Sequence, residues 1–217
     1  MIAFSIENLY KKMGGKQVLN GINLSVEKGE VLGLVGRSGA GKTVLVKTII
    51  GFLKPDKGEI KINSKSEYPI GYSMQENAIY ENLTVLQNLK YFASINRIKW
   101  GIRRQRIREL IKSRDLGEYK RKLVKNISGG TKKRVDLACA LLGDPDIIVL
   151  DEPLLGLDPG LVDSILKIIK KIEKQGKTVI ISSHQIAELS RVCSRFVLLK
   201  DGILYKIKQK QLATVYR

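Results

Sequence analysis

Apolar and polar residues alternate with period two in "AFSIENL" (3–9) and "GINLSV" (21–26), which predicts two strands, the second closed by the turn "EKGE". "VLGLV" (31–35) is apolar throughout and suits a strand buried on both faces. It runs into the glycine-rich "GRSGAGKT" (36–43), and "VLVKTII" (44–50) then continues with helical spacing until Gly51 stops it. "PDKGEIKIN" (55–63) returns to strand and turn character. From Thr84 the period changes again. Thr84 and Gln87 stand at capping-box spacing ahead of an apolar face of Val85, Leu86, Leu89, Phe92 and Ala93. The basic stretch that follows keeps helical periodicity. Behind "NISGGTKKR" (126–134), Val135, Ala138, Leu141 and Leu142 mark one face of a further helix. "DIIVLDEP" (146–153) predicts a buried strand ending in two acids. Asp158 and Pro159 read as the N-cap and first residue of a helix that ends at Gly176. "KTVIISSH" (177–184) predicts a strand, "QIAELSRVC" (185–193) a helix, and "RFVLLKDGILY" (195–205) a hairpin turning on Asp-Gly. Strands alternating with helices in this way predict an α/β domain on a buried, mostly parallel sheet, with a helical excursion from about residue 76 to 135.

Composition narrows the class. With 217 residues, 43% hydrophobic and 28% charged, the chain suits a globular domain with a substantial core. No apolar run reaches the ~18 residues of a membrane span, and the first dozen residues lack a signal-peptide layout. Cys139 and Cys193 stand far apart without a histidine at ligand spacing, so they predict buried helical cysteines in a reducing cytosol rather than a disulfide or zinc site. The net charge of +18 is unevenly spread: Arg97 to Lys125 holds twelve Lys/Arg against Glu109, Asp115 and Glu118. Such a stretch suits nucleic acid, anionic lipid, an acidic protein surface, or simply a solvated helical face.

The chemistry concentrates in three places. Gly36, Arg37, Ser38, Gly39, Ala40, Gly41, Lys42 and Thr43 fit the P-loop pattern between a strand and a helix. Glycines there let backbone N–H groups converge on phosphate oxygens, and the helix N-terminus adds its partial positive charge. Lys42 is spaced for the β/γ-phosphates and the Thr43 hydroxyl for Mg²⁺. The strand "IIVLDE" carries Asp151 to its end as a complementary Mg²⁺ carboxylate, and Glu152 next to it is placed to polarise an attacking water. His184, the only histidine, ends another apolar strand, at the edge where α/β sheets gather their ligands. One feature fits none of these. The Gly129-Gly130 pair opens a helix although glycine costs roughly 1 kcal/mol per residue there relative to alanine.

These parts, in this order and over essentially the whole chain, resemble the nucleotide-binding subunit of ABC transporters. "NISGGTKKRVDLACALLGDPDIIVLDEPLLGLDP" looks like that family's signature loop followed by its Walker B strand. The resemblance implies a single ABC-type P-loop ATPase domain over 1–217. Its catalytic core with a small antiparallel β subdomain would span 1–75 and 136–217, and its helical subdomain 76–135. It implies that Gly36 to Thr43 bind ATP, that Gln75 in "YSMQENAIYENLTV" touches Mg²⁺ or the water, and that Thr43 and Asp151 also serve the metal. Glu152 and His184 become the catalytic carboxylate and switch histidine. Ser128, Gly129 and Gly130 become the signature that acts across a dimer, and Asp158 the residue that joins the two sites. A second helix N-terminus from a two-fold mate would then cover the γ-phosphate that one P-loop leaves bare. The implied partners are a second nucleotide-binding subunit and separate transmembrane permease subunits. The chain is expected in the cytoplasm, peripheral at the membrane, with the basic cluster facing anionic headgroups or an acidic coupling segment.

Some positions depart from the family pattern. Thr131 stands where glutamine is common, which predicts weaker closure, and Leu154 where threonine is usual. Spacing places Met13, rather than Tyr10, at the adenine-stacking position, with less stacking energy than an aromatic. The stretch from Gly58 to Gln75 is short, so the β subdomain is expected to be trimmed. "GLDP" after the acids leans towards export. The competing readings are a soluble ABC-type ATPase acting on nucleic acid and a P-loop kinase. The resemblance does not favour the first, whose relatives carry two cassettes or long coiled coils. The second needs a lid and an acceptor site and no "SGG".

Overall fold

A computed structural model describes residues 1–74 and 78–207. Strands β1 (Ile2–Met13) and β2 (Lys16–Glu27) pair antiparallel around the Gly14–Gly15 turn and run longer than their alternating stretches. β3 (Val31–Val35) leads to helix α1 (Lys42–Ile49), and β4 (Lys57–Ile62) pairs with β1, completing a three-stranded antiparallel sheet. Then come β5 (Ile70–Ser73), α2 (Val85–Ile95), α3 (Trp100–Ser113), α4 (Gly129–Ala140) and β6 (Ile147–Asp151). The chain continues through α5 (Pro159–Lys174), β7 (Thr178–Ser183), α6 (Ile186–Leu189), β8 (Arg195–Lys200) and β9 (Ile203–Ile207). The second sheet has the order β5-β6-β7-β3-β8-β9 and is parallel except for β9. The expected α/β class, with a mostly parallel sheet and a small antiparallel one, is therefore observed.

Period-two alternation in the central strands sorts their side chains into two cores. Val31 and Val35, Ile148 and Leu150, and Val179 and Ile181 join the face covered by α2, α4 and α5. Leu32 and Leu34, Ile147 and Val149, and Ile180 join the face covered by α1 and the antiparallel sheet. Every residue of β3, β6 and β7 is buried. Burying a Val, Leu or Ile side chain is worth about 1.5–3 kcal/mol. A one-residue slip would move every such side chain to the wrong core, so the register is held from both faces.

Several elements match the sequence reading closely. Thr84 caps α2 in a full capping box with Gln87, and Val85, Leu89 and Ala93 are buried behind it. Asp158 caps α5 through the Leu161 N–H, with Pro159 at the first turn. β8 and β9 turn on Asp201 and Gly202, both at positive φ, as a two-residue hairpin. Others differ. The basic stretch is helical only to Ser113: Asp115 takes a left-handed φ of 52°, and the chain then folds back in turns to pair Leu123 with Thr84. The predicted helix 185–193 is one turn long, because the chain must swing back so that Ser194 N–H reaches Val31 O. Cys193 is consequently buried in a turn rather than a helix, while Cys139 lies in α4 as expected. The short strand β5 had no visible pattern, since "IGYS" offers only two alternations.

The capping box gives a direct check. Thr84→Ala removes the acceptor of the Gln87 N–H bond (3.2 Å). It should lower unfolding free energy by about 1 kcal/mol in a urea titration followed by circular dichroism. An unchanged midpoint would mean that the cap contributes nothing.

Candidate active site

Strand register brings the motifs to one edge. Val35 lies opposite Ser183 in the β3–β7 pair, and Asp151 opposite Ser182 in the β6–β7 pair. The C-terminal ends are level, so the 36–41 loop, Glu152 and His184 all leave the sheet together. At Gly41 φ is 99°, and a Cβ there would come within 2.8 Å of Val18 Cγ1, so the loop can close only on glycine. α1 starts at Gly41 without a side-chain cap, which leaves its first N–H groups facing the loop. Ala40 N–H donates to Arg37 O at 3.1 Å and shapes the turn.

Lys42 is buried, and its Nζ donates to Gly36 O (2.9 Å) and Arg37 O (3.3 Å). The same atom lies 3.4 Å from Glu152 Oε1, and Glu152 Oε2 lies 3.1 Å from His184 Nδ1. One carboxylate thus links the P-loop lysine to the histidine on the neighbouring strand. Glu152 takes a left-handed φ of 48°, a conformation that costs a non-glycine residue about 1–3 kcal/mol and must be held by its surroundings. The holder is Ser182. Its carbonyl and its hydroxyl each accept from the Glu152 N–H at 3.1 Å, and the hydroxyl donates to Asp151 Oδ1. Ser182 escaped the sequence reading; the only signal was a pair of serines at the end of an otherwise apolar strand.

Beside these groups lies a cleft of about 650 Å³, lined by Val18, Arg37, Ser38, Gly39, Gly41 to Val44, Glu152, Leu155 and His184. Met13 is not among its walls. It sits at the hairpin tip, paired with Lys16 and 42% exposed, while Tyr10 packs its hydroxyl over Gly21. Gln75 lies outside the described residues. Among those described, no three His, Cys, Asp or Glu converge as a metal cage. The oxygen donors available at this edge include the Thr43 hydroxyl, which makes no hydrogen bond within the described residues, and the buried Asp151 carboxylate at the end of β6. That donor set fits Mg²⁺, which is commonly held by one or two protein oxygens together with phosphates and water.

The signature residues face elsewhere. Ser128 and Gly129 are exposed and form no part of the P-loop cleft's lining. Ser128 caps α4, its hydroxyl accepting from Thr131 N–H (3.3 Å) and lying 2.9 Å from Thr131 Oγ1. A Cβ on Gly129 would meet nothing within 4 Å, whereas one on Gly130 would fall 2.2 Å from Leu161 Cδ2. The two glycines therefore have different reasons: Gly129 opens a surface, and Gly130 admits α5. Leu161 is the residue whose N–H Asp158 caps, so the Asp158 turn and the signature are packed together. Thr131 is buried, and its hydroxyl is spent on Ser128 and Arg134 Nη2 (3.1 Å).

A buried ion pair ties α4 to the strand leading towards Gln75. Lys133 Nζ donates to Met74 O (2.9 Å) and to Asp136 Oδ2 (3.2 Å), and Ser73 Oγ donates to the same carboxylate oxygen at 2.5 Å. Burial pushes the Asp136 carboxyl up, with Lys133 and Ser73 opposing it. On the same strand, burial and the nearby Asp151 and Asp136 charges push Tyr72 up to about 12.

The ABC transporter family model matches residues 19–155. An uncharacterized ABC transporter ATP-binding protein of Methanocaldococcus jannaschii is 34% identical over 197 residues, spanning 91% of this chain and 74% of its own length. Among solved structures, CbiO1 of Clostridium perfringens, part of the ABC transporter complex CbiONQ, superposes with a TM-score of 0.86 at 28% identity, over 99% of this chain and 91% of its own. A dimeric ATP-binding cassette in a post-hydrolysis state, bound to ADP and phosphate, superposes with a TM-score of 0.80 at 29% identity, over 94% of this chain and 99% of its own.

The buried pair supplies a prediction for the site's framework. Lys133→Met leaves Asp136 without its cation and should cost about 3–5 kcal/mol in unfolding free energy. Lys133→Met combined with Asp136→Leu should recover most of that loss. A single variant as stable as the parent would show that the pair does not hold α4.

Proposed function

This chain belongs to the ABC transporter family as an ATP-binding, ATP-hydrolysing cassette, and from that premise we propose how its residues divide the work. The P-loop, Gly36 to Thr43, receives the phosphates, with Lys42 turning from the Gly36 and Arg37 carbonyls to phosphate oxygens. Thr43 and Asp151, with Gln75, would hold Mg²⁺, which would neutralise phosphate charge. Glu152 orients and polarises the attacking water. Its link to His184 Nδ1 (3.1 Å) positions the histidine towards the γ-phosphate. Met13 reaches adenine from the hairpin tip.

Two cassettes close on each other, each lending Ser128, Gly129 and Gly130 to the other's nucleotide, with Asp158 coupling the two sites. The observation that carries this reading is the outward, unobstructed Ser128–Gly129 edge, set apart from the cleft that holds its own P-loop. An oxyanion-type donor set is useful only where it meets charge, and here that requires a second chain. We further infer that residues 76–135 act as a helical unit on a core of 1–75 and 136–217, with α4 running through the joint. A groove of about 990 Å³ opens between α1, β5 and α2, with Ile49, Leu53, Tyr68, Met74, Phe92 and Ile95 among its walls. It suits an apolar segment of a separate permease and would transmit dimer closure to it at the cytoplasmic face of the membrane.

Two substitutions test the division of labour. Glu152→Gln should lower turnover by roughly 10²–10⁴-fold while keeping ATP binding, and should accumulate an ATP-bound dimer in size-exclusion chromatography. Wild-type turnover in that variant would remove Glu152 from its role. Ser128→Arg should abolish the dimer and leave ATP binding by the monomer intact. Loss of monomer binding instead would contradict the assignment of Ser128 to a partner's site.

A further inference from the structure

The basic stretch separates into two kinds of cation. Arg103 donates to Ser94 Oγ and Ile98 O, Arg106 to Leu141 O and Asp144 Oδ1, and Arg114 is buried. These three hold the helices together. Arg97, Lys99, Arg104, Arg108 and Lys112 are exposed, and their side chains make no hydrogen bond or ion pair among the described residues. Glu109, the one acid in α3, is committed to Arg106 and Gln105.

Apolar side chains are exposed on both helices that meet at this corner. Trp100, the chain's single tryptophan, opens α3 and is 85% exposed, and Ile102 and Ile95 are 58% and 53% exposed. Trp100, Arg104, Arg108 and Lys112 recur every four residues, so they form one row along the helix. Ile107 and Leu110 are buried; Trp100, seven residues before Ile107, borders their face, and the row turns away from it towards Lys112. A solvated helical face explains the charges and leaves an unburied indole unexplained. A protein or nucleic-acid partner would use the cations; an indole 85% exposed at the head of the cation row additionally asks for hydrocarbon. Indoles settle at the bilayer interface, and flanking Lys and Arg reach the phosphates above it.

We propose that the α2–α3 corner of this cassette, centred on Trp100, inserts into the interface of an anionic phospholipid bilayer. The contact rests on the reading of the chain as a transporter cassette at a membrane, and gives it a lipid foothold distinct from the permease groove. The unpaired cations make the association dependent on anionic lipid and sensitive to salt.

Because Trp100 is the only tryptophan, its emission reports this corner of the full-length protein alone. On adding vesicles of phosphatidylglycerol and phosphatidylcholine, the emission should shift to the blue and be quenched by lipids brominated on the acyl chain, and added salt should reverse both. Phosphatidylcholine vesicles should produce neither effect. Arg104→Gln with Arg108→Gln should lower the vesicle partition coefficient by about 30-fold without changing basal ATP hydrolysis. No shift with anionic vesicles, or an equal shift with neutral ones, would overturn the proposal. So would a shift produced by a single-stranded oligonucleotide but not by vesicles. If the vesicle response is absent while Glu152→Gln still dimerises on ATP, only the lipid contact fails; if that dimer is absent too, the cassette reading fails separately.

Discussion

The hydroxyl of Ser182 is the contact on which the phosphate-facing edge depends. The P-loop follows β3 and the two acids lie at the end of β6 and just beyond it, yet these strands are not neighbours; β7 lies between them. Ser182 stands on that intervening strand, donating to Asp151 and accepting the amide of Glu152. It keeps the first acid turned down beside the sheet and the second in a left-handed conformation that aims it at Lys42 and His184. Two adjacent residues of one strand would otherwise point to opposite sides in a simple alternation. The left-handed turn breaks that alternation, and of the two acids it is Glu152 whose carboxylate meets Lys42 and His184.

The signature follows from a second constraint, close helix packing. Gly130 is glycine because Leu161 of α5 occupies the space where a side chain would be, and Leu161 is fixed by the Asp158 cap. This packing fixes the direction in which Ser128 and Gly129 look, and it is away from their own cleft. The ion pair of Lys133 and Asp136 then ties the same helix to Met74, next to the segment that holds Gln75. The helix is thus packed on α5 at its first turn and tied to the β5 side at its middle.

Much of this was legible in the sequence because it depends on local rules. The P-loop needs only a strand, glycines and a helix start; the capping box at Thr84 and the Asp158 cap need only three-residue spacings. The mostly parallel sheet followed from apolar runs at β3, β6 and β7. What was hidden depends on contacts between distant segments. Ser182 acquires its importance from residues thirty positions away, and Thr131 turns inward because Arg134 and Ser128 use its hydroxyl. The departure from glutamine at that position is therefore an adjustment of the helix cap as much as of the exposed loop. The extent of helix in the basic stretch was overestimated because periodicity does not register the left-handed residue Asp115. The division of its cations into structural and free ones also needed the fold.

The central claim is that each active site is split between two chains. The most direct measurement is ATP hydrolysis per chain across a dilution series of the protein. If the signature completes the partner's site, specific activity rises with protein concentration and levels off as the dimer saturates. A specific activity that stays constant down to the lowest concentration would show that one chain holds a complete site, and would contradict the account.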